Sequence, residues 1–184
     1  MLRIWVVVPT CLPLVVRRCH VCGGERFRAD GKFRVNANHK LIEAWLLVLC
    51  TVCGDTVKLS VRERVKVSSV SPDLLERLHG NDVSLAAEVL QDPLVQRRHR
   101  FALDWDGAWR LDTGGFVVPE GPDDVVEVLV RCAARIPLRP ARLIAQGCGL
   151  SRGEVERLIT EGKIVSAVRL TGRLSGDFSF TLKR

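Results

Sequence analysis

Over the first seventy residues apolar and polar positions alternate with a period of two, which predicts an antiparallel sheet rather than helices. Residues 2 to 8 and 13 to 18 are rich in Val, Leu and Ile around a proline-containing turn, and predict a hairpin. Residues 26 to 29 and 32 to 36 flank Asp30-Gly31, a two-residue turn signal, and predict a second hairpin. Residues 41 to 49 are apolar apart from Glu43, as expected of a central buried strand. Val57, Leu59, Val61 and Val65 then alternate with Lys58, Ser60, Arg62 and Arg64, giving one core face and one basic solvent face.

From Ser71 the period changes. Ser71 is an N-cap with Pro72 at the first helical position, and Leu74, Leu75 and Leu78 form the apolar side of a helix stopped near Gly80. A second helix runs over residues 83 to 90 and ends at Asp92-Pro93. Asp106-Gly107, with Trp105 and Trp109 beside it, predicts a further hairpin over residues 101 to 111. A loop follows through Gly114, Gly115, Pro119, Gly121 and Pro122. Residues 125 to 130 are β-branched enough for a strand, although Asp123 and Asp124 are equally compatible with a helix cap. Residues 140 to 146 read as a short helix ended by Gly147 and Gly149. Ser151 with Glu154 forms a capping box for a helix that Gly162 closes, and strands over 165 to 170 and 178 to 182 flank Thr171-Gly172.

At 184 residues the chain has room for one compact unit or two to three small ones. Its net charge of +7 points to a polyanionic partner, but 22 of its 28 basic residues are Arg, a bias that GC-rich codons also produce. The distribution says more. Lys and Arg against Asp and Glu number 12 and 5 over residues 1 to 72, 5 and 12 over 73 to 130, and 11 and 4 over 131 to 184. Two basic ends thus flank an acidic middle, which either docks onto an end or leaves separate basic faces for nucleic acid.

The apolar N-terminal run is interrupted by Pro9 and Pro13 and has no cleavage site after it, so it does not read as a secretory signal. No stretch is long enough to span a bilayer. A cytoplasmic setting is expected, in which seven cysteines serve as metal ligands and core thiols rather than disulfides. Cys11, Cys132 and Cys148 sit among apolar neighbours and are expected to be buried thiols.

Four cysteines are different. Cys19-His20-Val21-Cys22-Gly23 and Cys50-Thr51-Val52-Cys53-Gly54 are two knuckles, each able to aim two thiolates at one tetrahedral ion. Twenty-seven residues separate Cys22 from Cys50, a spacing that suits a ribbon with a hairpin between its knuckles. A structural zinc held by Cys19, Cys22, Cys50 and Cys53 is therefore expected, with His20 and His39 as less favoured substitutes. A catalytic zinc needs an open position and a nearby base, and neither these motifs nor a P-loop, dinucleotide fingerprint or nucleophile elbow provides for catalysis. The expected protein is not an enzyme. Between the knuckles, Arg26, Arg28 and Arg34 interleave with Phe27 and Phe33, an arrangement that holds phosphates on Arg and stacks a base on Phe, or else turns both Phe residues into the core.

Residues 31 to 38 (Gly-Lys-Phe-Arg-Val-Asn-Ala-Asn), with Trp45-Leu46, Cys50-Thr51-Val52-Cys53 and Glu63-Arg64-Val65, resemble a bacterial family known as domain of unknown function ten-sixty-two. The resemblance covers about the first 110 residues, more loosely the rest, and implies two CxxC knuckles at Cys19, Cys22, Cys50 and Cys53 but no activity. Val57-Lys58 departs from the aromatic and polar residues expected there. Residues 150 to 164 are similar to a different group, the S4-type RNA-binding domains, at the second helix and exit strand. The usual Val-Asn-Gly is replaced by Ser166-Ala167-Val168. That similarity implies phosphate contacts by Arg152, Arg157 and Lys163, on a helix whose Glu154, Glu156 and Glu161 weaken the surface.

The expected fold is α+β. A zinc-ribbon-like antiparallel sheet occupies residues 1 to 70, an acidic connecting region of short helices and a hairpin 71 to 134, and an S4-like helix-helix-hairpin module 135 to 184. The expected function is non-catalytic binding of structured RNA, ribosomal or transfer, through its phosphates. The alternative is a protein-interaction scaffold with a structural zinc and no role with nucleic acid.

Overall fold

Strands form over most of the stretches where the alternation places them, but while some pair across the nearest turn, others pair with segments far along the chain. The computed structural model describes residues 1–118, 121 and 125–183. In chain order the first elements are β1 (Leu2–Pro9), β2 (Leu14–Val16), β3 (Arg26–Asn38), β4 (Leu41–Cys50) and β5 (Thr56–Lys66), then α1 (Pro72–His79), α2 (Val83–Gln91) and α3 (Pro93–His99). They continue as β6 (Ala102–Asp104), β7 (Trp109–Asp112), β8 (Val125–Cys132), β9 (Pro137–Leu138), α4 (Pro140–Cys148), α5 (Arg152–Thr160), β10 (Ile164–Val165), β11 (Leu174–Ser175) and β12 (Phe178–Lys183). The fold is α+β, as expected. Among the described residues no helix is long and apolar enough to cross a membrane.

The chain divides into two compact units. One is split, comprising Met1–Thr10 and Trp109–Arg184; the other, Cys11–Ala108, is inserted into it. The insertion leaves and re-enters at neighbouring points, because Pro9 at the end of β1 is the register partner of Trp109 at the start of β7. This is not the expected division at residues 70 and 134. The acidic middle is shared out: α1 to α3 and β6 complete the inserted unit, whereas β7 and β8 belong to the split one.

The inserted unit is an antiparallel sheet in the order β5-β4-β3-β2-β6. Its inner face carries Val15, Phe27, Ala44, Leu46, Val48 and Leu59, which form one core with Leu78, Leu85, Ala86, Val89 and Leu90 from α1 and α2. β4 is central as expected, yet not buried on both faces. Ile42, Ala44, Leu46 and Val48 are buried while Leu41, Glu43, Trp45, Leu47 and Leu49 on the other face remain half-buried. Asp30-Gly31 makes no hairpin: β3 runs straight through it as one strand of 13 residues, with a bulge between Ala29 and Phe33. The long apolar β4 offers a ladder on both sides of the turn signal, so Gly31 at φ +74° is absorbed as an irregularity. The Phe33 N–H there donates to Asn81 Oδ1 at 2.8 Å, which ties the bulge to the α1–α2 connection.

The helix caps follow the sequence. Ser71 Oγ accepts from the Leu74 N–H ahead of Pro72, and Asp82 caps α2 through the N–H groups of Ser84 and Leu85. Asp92-Pro93 does end α2, but it also starts α3, which the sequence reading missed: Asp92 Oδ1 accepts from the Leu94 N–H at 2.8 Å and Pro93 takes the first helical position.

In the split unit a five-stranded sheet has the order β10-β12-β8-β1-β7, with β1 and β8 parallel and the other pairs antiparallel; β9 and β11 form a separate two-stranded ladder. β1 therefore does not form the expected hairpin with β2, which lies in the other sheet. The same holds at Asp106-Gly107, where the turn forms, with the Ala108 N–H on the Trp105 carbonyl, but joins β6 of one sheet to β7 of the other. β8 is the strand expected over residues 125 to 130; Asp123 and Asp124, the alternative helix cap, lie outside the described residues. Residues 135 to 184 do not stand apart, since β12 pairs with β8 along six residues. Of the strand expected over 165 to 170 only β10 forms. Trp5, Val128, Val130, Leu143, Ile144 and Phe180 are among its fully buried side chains. Cys132 and Cys148 are partly buried, and Cys11, expected inside, is exposed.

Candidate metal centre

The two knuckles are the same local structure used twice. In the first, the Gly23 N–H donates to the Cys19 carbonyl at 3.1 Å and the Cys19 N–H to the Gly24 carbonyl at 2.7 Å; in the second, Gly54 donates to Cys50 at 3.0 Å and Cys50 to Asp55 at 2.8 Å. Both turns close through a glycine in the left-handed region, Gly23 at φ +76° and Gly54 at φ +74°, where a side chain is strained. The turns follow two strands, β2 and β4, that flank β3 in the sheet. The first follows β2, the second lies between β4 and β5, and the Thr51 N–H donates to the Arg26 carbonyl on β3 at 3.0 Å.

This arrangement brings all four predicted sulfurs together, within 4.8 Å of one another. Cys19 Sγ lies 3.8 Å from Cys53 Sγ and Cys22 Sγ 3.6 Å from Cys50 Sγ. A tetrahedral ion with metal–sulfur bonds of about 2.3 Å spaces its ligands about 3.8 Å apart, so the cluster fits a single ion. A cubane iron–sulfur cluster holds its ligating sulfurs much farther apart. Cys19 and Cys50 are buried, Cys22 and Cys53 exposed, and a Cβ on Gly24 would sit 3.3 Å from Cys22 Sγ and 3.4 Å from Cys50 Sγ. His20 and His39 are not part of the group.

The thiols are electrostatically unequal. The Cys53 and Val52 N–H groups hold Cys50 down to about 7, helped by the sulfurs of Cys22 and Cys53. Cys53 is pushed up to about 12: the Asp55 N–H favours its thiolate, but Cys22, burial, Cys50 and Cys19 together outweigh that. Four thiols this close accept one negative charge easily and resist the next, which is the state a cation relieves.

The six basic residues expected to touch RNA fall into two groups. Arg26, Arg28 and Arg34 all lie on the outer face of the inserted unit's sheet, since Arg28 pairs in register with Leu49 and Arg34 with Trp45, both outside the core. Phe27 on the opposite face is buried and Phe33 packs against the core, so neither Phe is free to stack a base. Lys58, which the sequence places on a basic solvent face but not among the RNA contacts, is the register partner of Leu47 on this same outer face, and its Nζ lies 5.2 Å from the Trp45 ring centroid. The alternation along β4 puts Trp45 on that face as well. Arg26 pairs with Asp104 at 3.2 Å and Arg28 with Asp30 at 3.4 Å, while Arg34 has no ion-pair partner among the described residues.

Arg152, Arg157 and Lys163 belong to the split unit. Each sits beside a glutamate: Arg152 with Glu156 at 2.8 Å, Arg157 with Glu161 at 3.7 Å, and Lys163 with Glu161 at 3.2 Å. Exposed pairs of this kind are weak, about 0–1 kcal/mol, but they lower the local positive field. Among the described residues the group at the knuckles consists of the four cysteines, with no histidine in it. The recess beside the second knuckle is lined by Val16, Glu25, Arg26, Thr51 and Val52, and His99 has a structural partner in the Ser60 N–H at 2.9 Å.

Compared with known proteins, the chain matches no curated protein and no solved structure. One family model matches residues 35–170. The span holds Cys50 and Cys53 but begins beyond Cys19 and Cys22, and it runs well past residue 110, where the close resemblance read from the motifs stops. That model is described as protein of unknown function (DUF1062), and because it covers well over half of the sequence, the chain belongs to this family.

Proposed function

We propose that the protein is a non-catalytic, zinc-containing RNA-binding protein that holds structured RNA by its phosphates, in the cytoplasm of a bacterium. Zinc at Cys19, Cys22, Cys50 and Cys53 closes the zinc-ribbon-like end of the inserted sheet and fixes β3 beside it. The observation that carries the RNA reading is the placement of Arg26, Arg28, Arg34 and Lys58 on one outer sheet face. With Phe27 and Phe33 turned inward and Lys58 laid over Trp45, this face offers cations and no open aromatic platform, which favours phosphate contacts over base stacking. The S4-like reading of residues 135 to 184 adds Arg152, Arg157 and Lys163 as a second basic surface, reduced by their glutamate neighbours.

The test is binding of metal-loaded protein to ribosomal and transfer RNA across a salt series. Affinity should fall steeply with salt, and Arg28→Ala with Arg34→Ala should flatten the log–log slope by about 1–2. Absence of salt-sensitive binding at low salt sinks the proposal. A second reading, the interaction scaffold without a nucleic-acid role, is favoured by the ion pair between Arg26 and Asp104, in which the acidic middle of the chain covers part of the basic face. Under it Asp104→Asn leaves RNA binding absent; under the first, it strengthens binding.

A further inference from the structure

One face of the split unit's sheet carries exposed apolar side chains. Along β1, Trp5 and Val7 are buried, but Leu2 and Ile4 on the opposite face are 59% and 48% exposed. β8 runs parallel beside it with Leu2 opposite Glu127, Ile4 opposite Leu129 and Val6 opposite Arg131, and register partners share a face. On β1 and β8 the outer surface thus carries three rows: Leu2 and Glu127, then Ile4 and Leu129, then Val6 and Arg131; beside them on β7, Asp112 next to Val6 is paired with Arg110 at 3.5 Å. An apolar stripe of this kind on a sheet face marks a contact surface.

The charges on the stripe indicate what covers it. Glu127 and Arg131 stand two residues to either side of Leu129 on one strand and one face, and neither has an ion-pair partner among the described residues. A two-fold axis lying in the interface, across the strands and through the Ile4–Leu129 row, turns a second copy so that its Arg131 faces Glu127 and its Glu127 faces Arg131. The same operation sets Leu2 against Val6 of the second copy and brings Ile4 and Leu129 against their own counterparts. One sign of charge would suit a lipid surface or an oppositely charged partner, whereas both signs at equal distances from an apolar centre are self-complementary.

We propose that the protein forms a two-fold homodimer through this face, the two sheets packing with opposed strand directions. The proposal is independent of the RNA reading and of the metal centre. Sedimentation equilibrium of the metal-loaded chain should give a dimer at about 0.1 mM or below. Glu127→Arg and Arg131→Glu alone each set like charges against each other at both symmetry-related contacts and should weaken the dimer about tenfold or more; the combined exchange should return it to within about threefold of the original. Ile4→Asp, at an exposed position, should give a monomer with an unchanged circular dichroism spectrum. A chain that stays monomeric at about 0.1 mM overturns the proposal, as does a dimer indifferent to these substitutions. Single charge reversals that weaken the dimer without recovery in the double variant overturn the two-fold register. Binding of the monomer to lipid vesicles through Ile4 would assign the face to a membrane instead.

Discussion

Gly147 lies against Trp5 so closely that a Cβ there would fall 2.3 Å from the indole ring. Trp5 is fully buried, with the rings of Phe116 and Phe180 edge-on at 5.4 Å, so it has nowhere to move. The glycine is what lets α4 seat on β1. Gly147→Ala should therefore destabilise the split unit by about 1–3 kcal/mol or more, even though alanine is favoured over glycine inside a helix by about 1 kcal/mol. Denaturant melts check this, and Trp5→Leu in the same chain should recover part of the loss. An alanine variant as stable as the parent would show that the contact is not rigid.

Asp82 does two jobs at the turn between α1 and α2. Its Oδ1 accepts from the Ser84 and Leu85 N–H groups at 2.7 and 3.2 Å, and its Oδ2 accepts from Arg77 Nε at 2.8 Å, while Arg77 also reaches Glu88. The Ser84 hydrogen bond and then Arg77 hold its carboxyl well below the usual carboxylate range. A depressed carboxyl contributes stability above its unfolded pKa near 4 and loses it as pH falls through the lower folded value. Asp82→Asn should lower the melting temperature by about 5 °C at neutral pH and flatten its acid dependence below about pH 4. Parallel pH profiles for parent and variant would remove the electrostatic part of this account.

The Ser60 N–H donates to His99 Nε2 at 2.9 Å, which requires that nitrogen to be unprotonated, and this bond ties α3 to β5. Burial, then Arg17 and Arg98, push the imidazole below its ordinary 6.5, against a smaller pull upward from Glu63. With the folded pKa below the unfolded one, the contribution is complete above about pH 6.5 and is lost as pH falls from there through the folded value. His99→Gln should be less stable at pH 7.5, and the gap between parent and variant should narrow towards pH 5 in thermal melts. A gap independent of pH would mean that protonation at His99 does not reach this contact.

What the sequence made legible was chemistry that works within a few residues. Ser71-Pro72, Ser151 with Glu154, and the two CxxCG knuckles all fold as read, because a cap or a knuckle closes on its own neighbours. What it hid was choice of partner. Asp106-Gly107 makes its turn, yet the strands on either side go to different sheets, and β1 finds a parallel partner more than 120 residues away at β8. Asp30-Gly31 has the residues of a hairpin and becomes a bulge because β4 outlasts it. The charge boundary near residue 72 is real in composition but marks no unit, since the core of the inserted sheet needs Leu78, Leu85 and Leu90 from beyond it. The same limit hid the outer face: Arg28 and Arg34 were visible as candidates, but Lys58 joined them only once β5 was placed beside β4.

The four cysteines are not interchangeable, and that gives the metal centre its sharpest test. Cys19 and Cys50 are buried within the core of the inserted unit, whereas Cys22 and Cys53 are exposed and contribute little beyond their sulfurs. Replacing any of the four by Ser should abolish stoichiometric zinc, expected at about one per chain, since structural zinc affinity depends on a complete tetrahedral shell. Stability separates the pairs. Cys53→Ser should melt like the parent treated with chelator, having lost only the ion, and Cys19→Ser should melt lower still because a buried hydroxyl replaces a thiol in the core. Trp45 and Trp105 in the inserted unit report the transition by fluorescence. Full metal occupancy in Cys53→Ser, measured by mass spectrometry of the purified protein, would rule out a four-sulfur site.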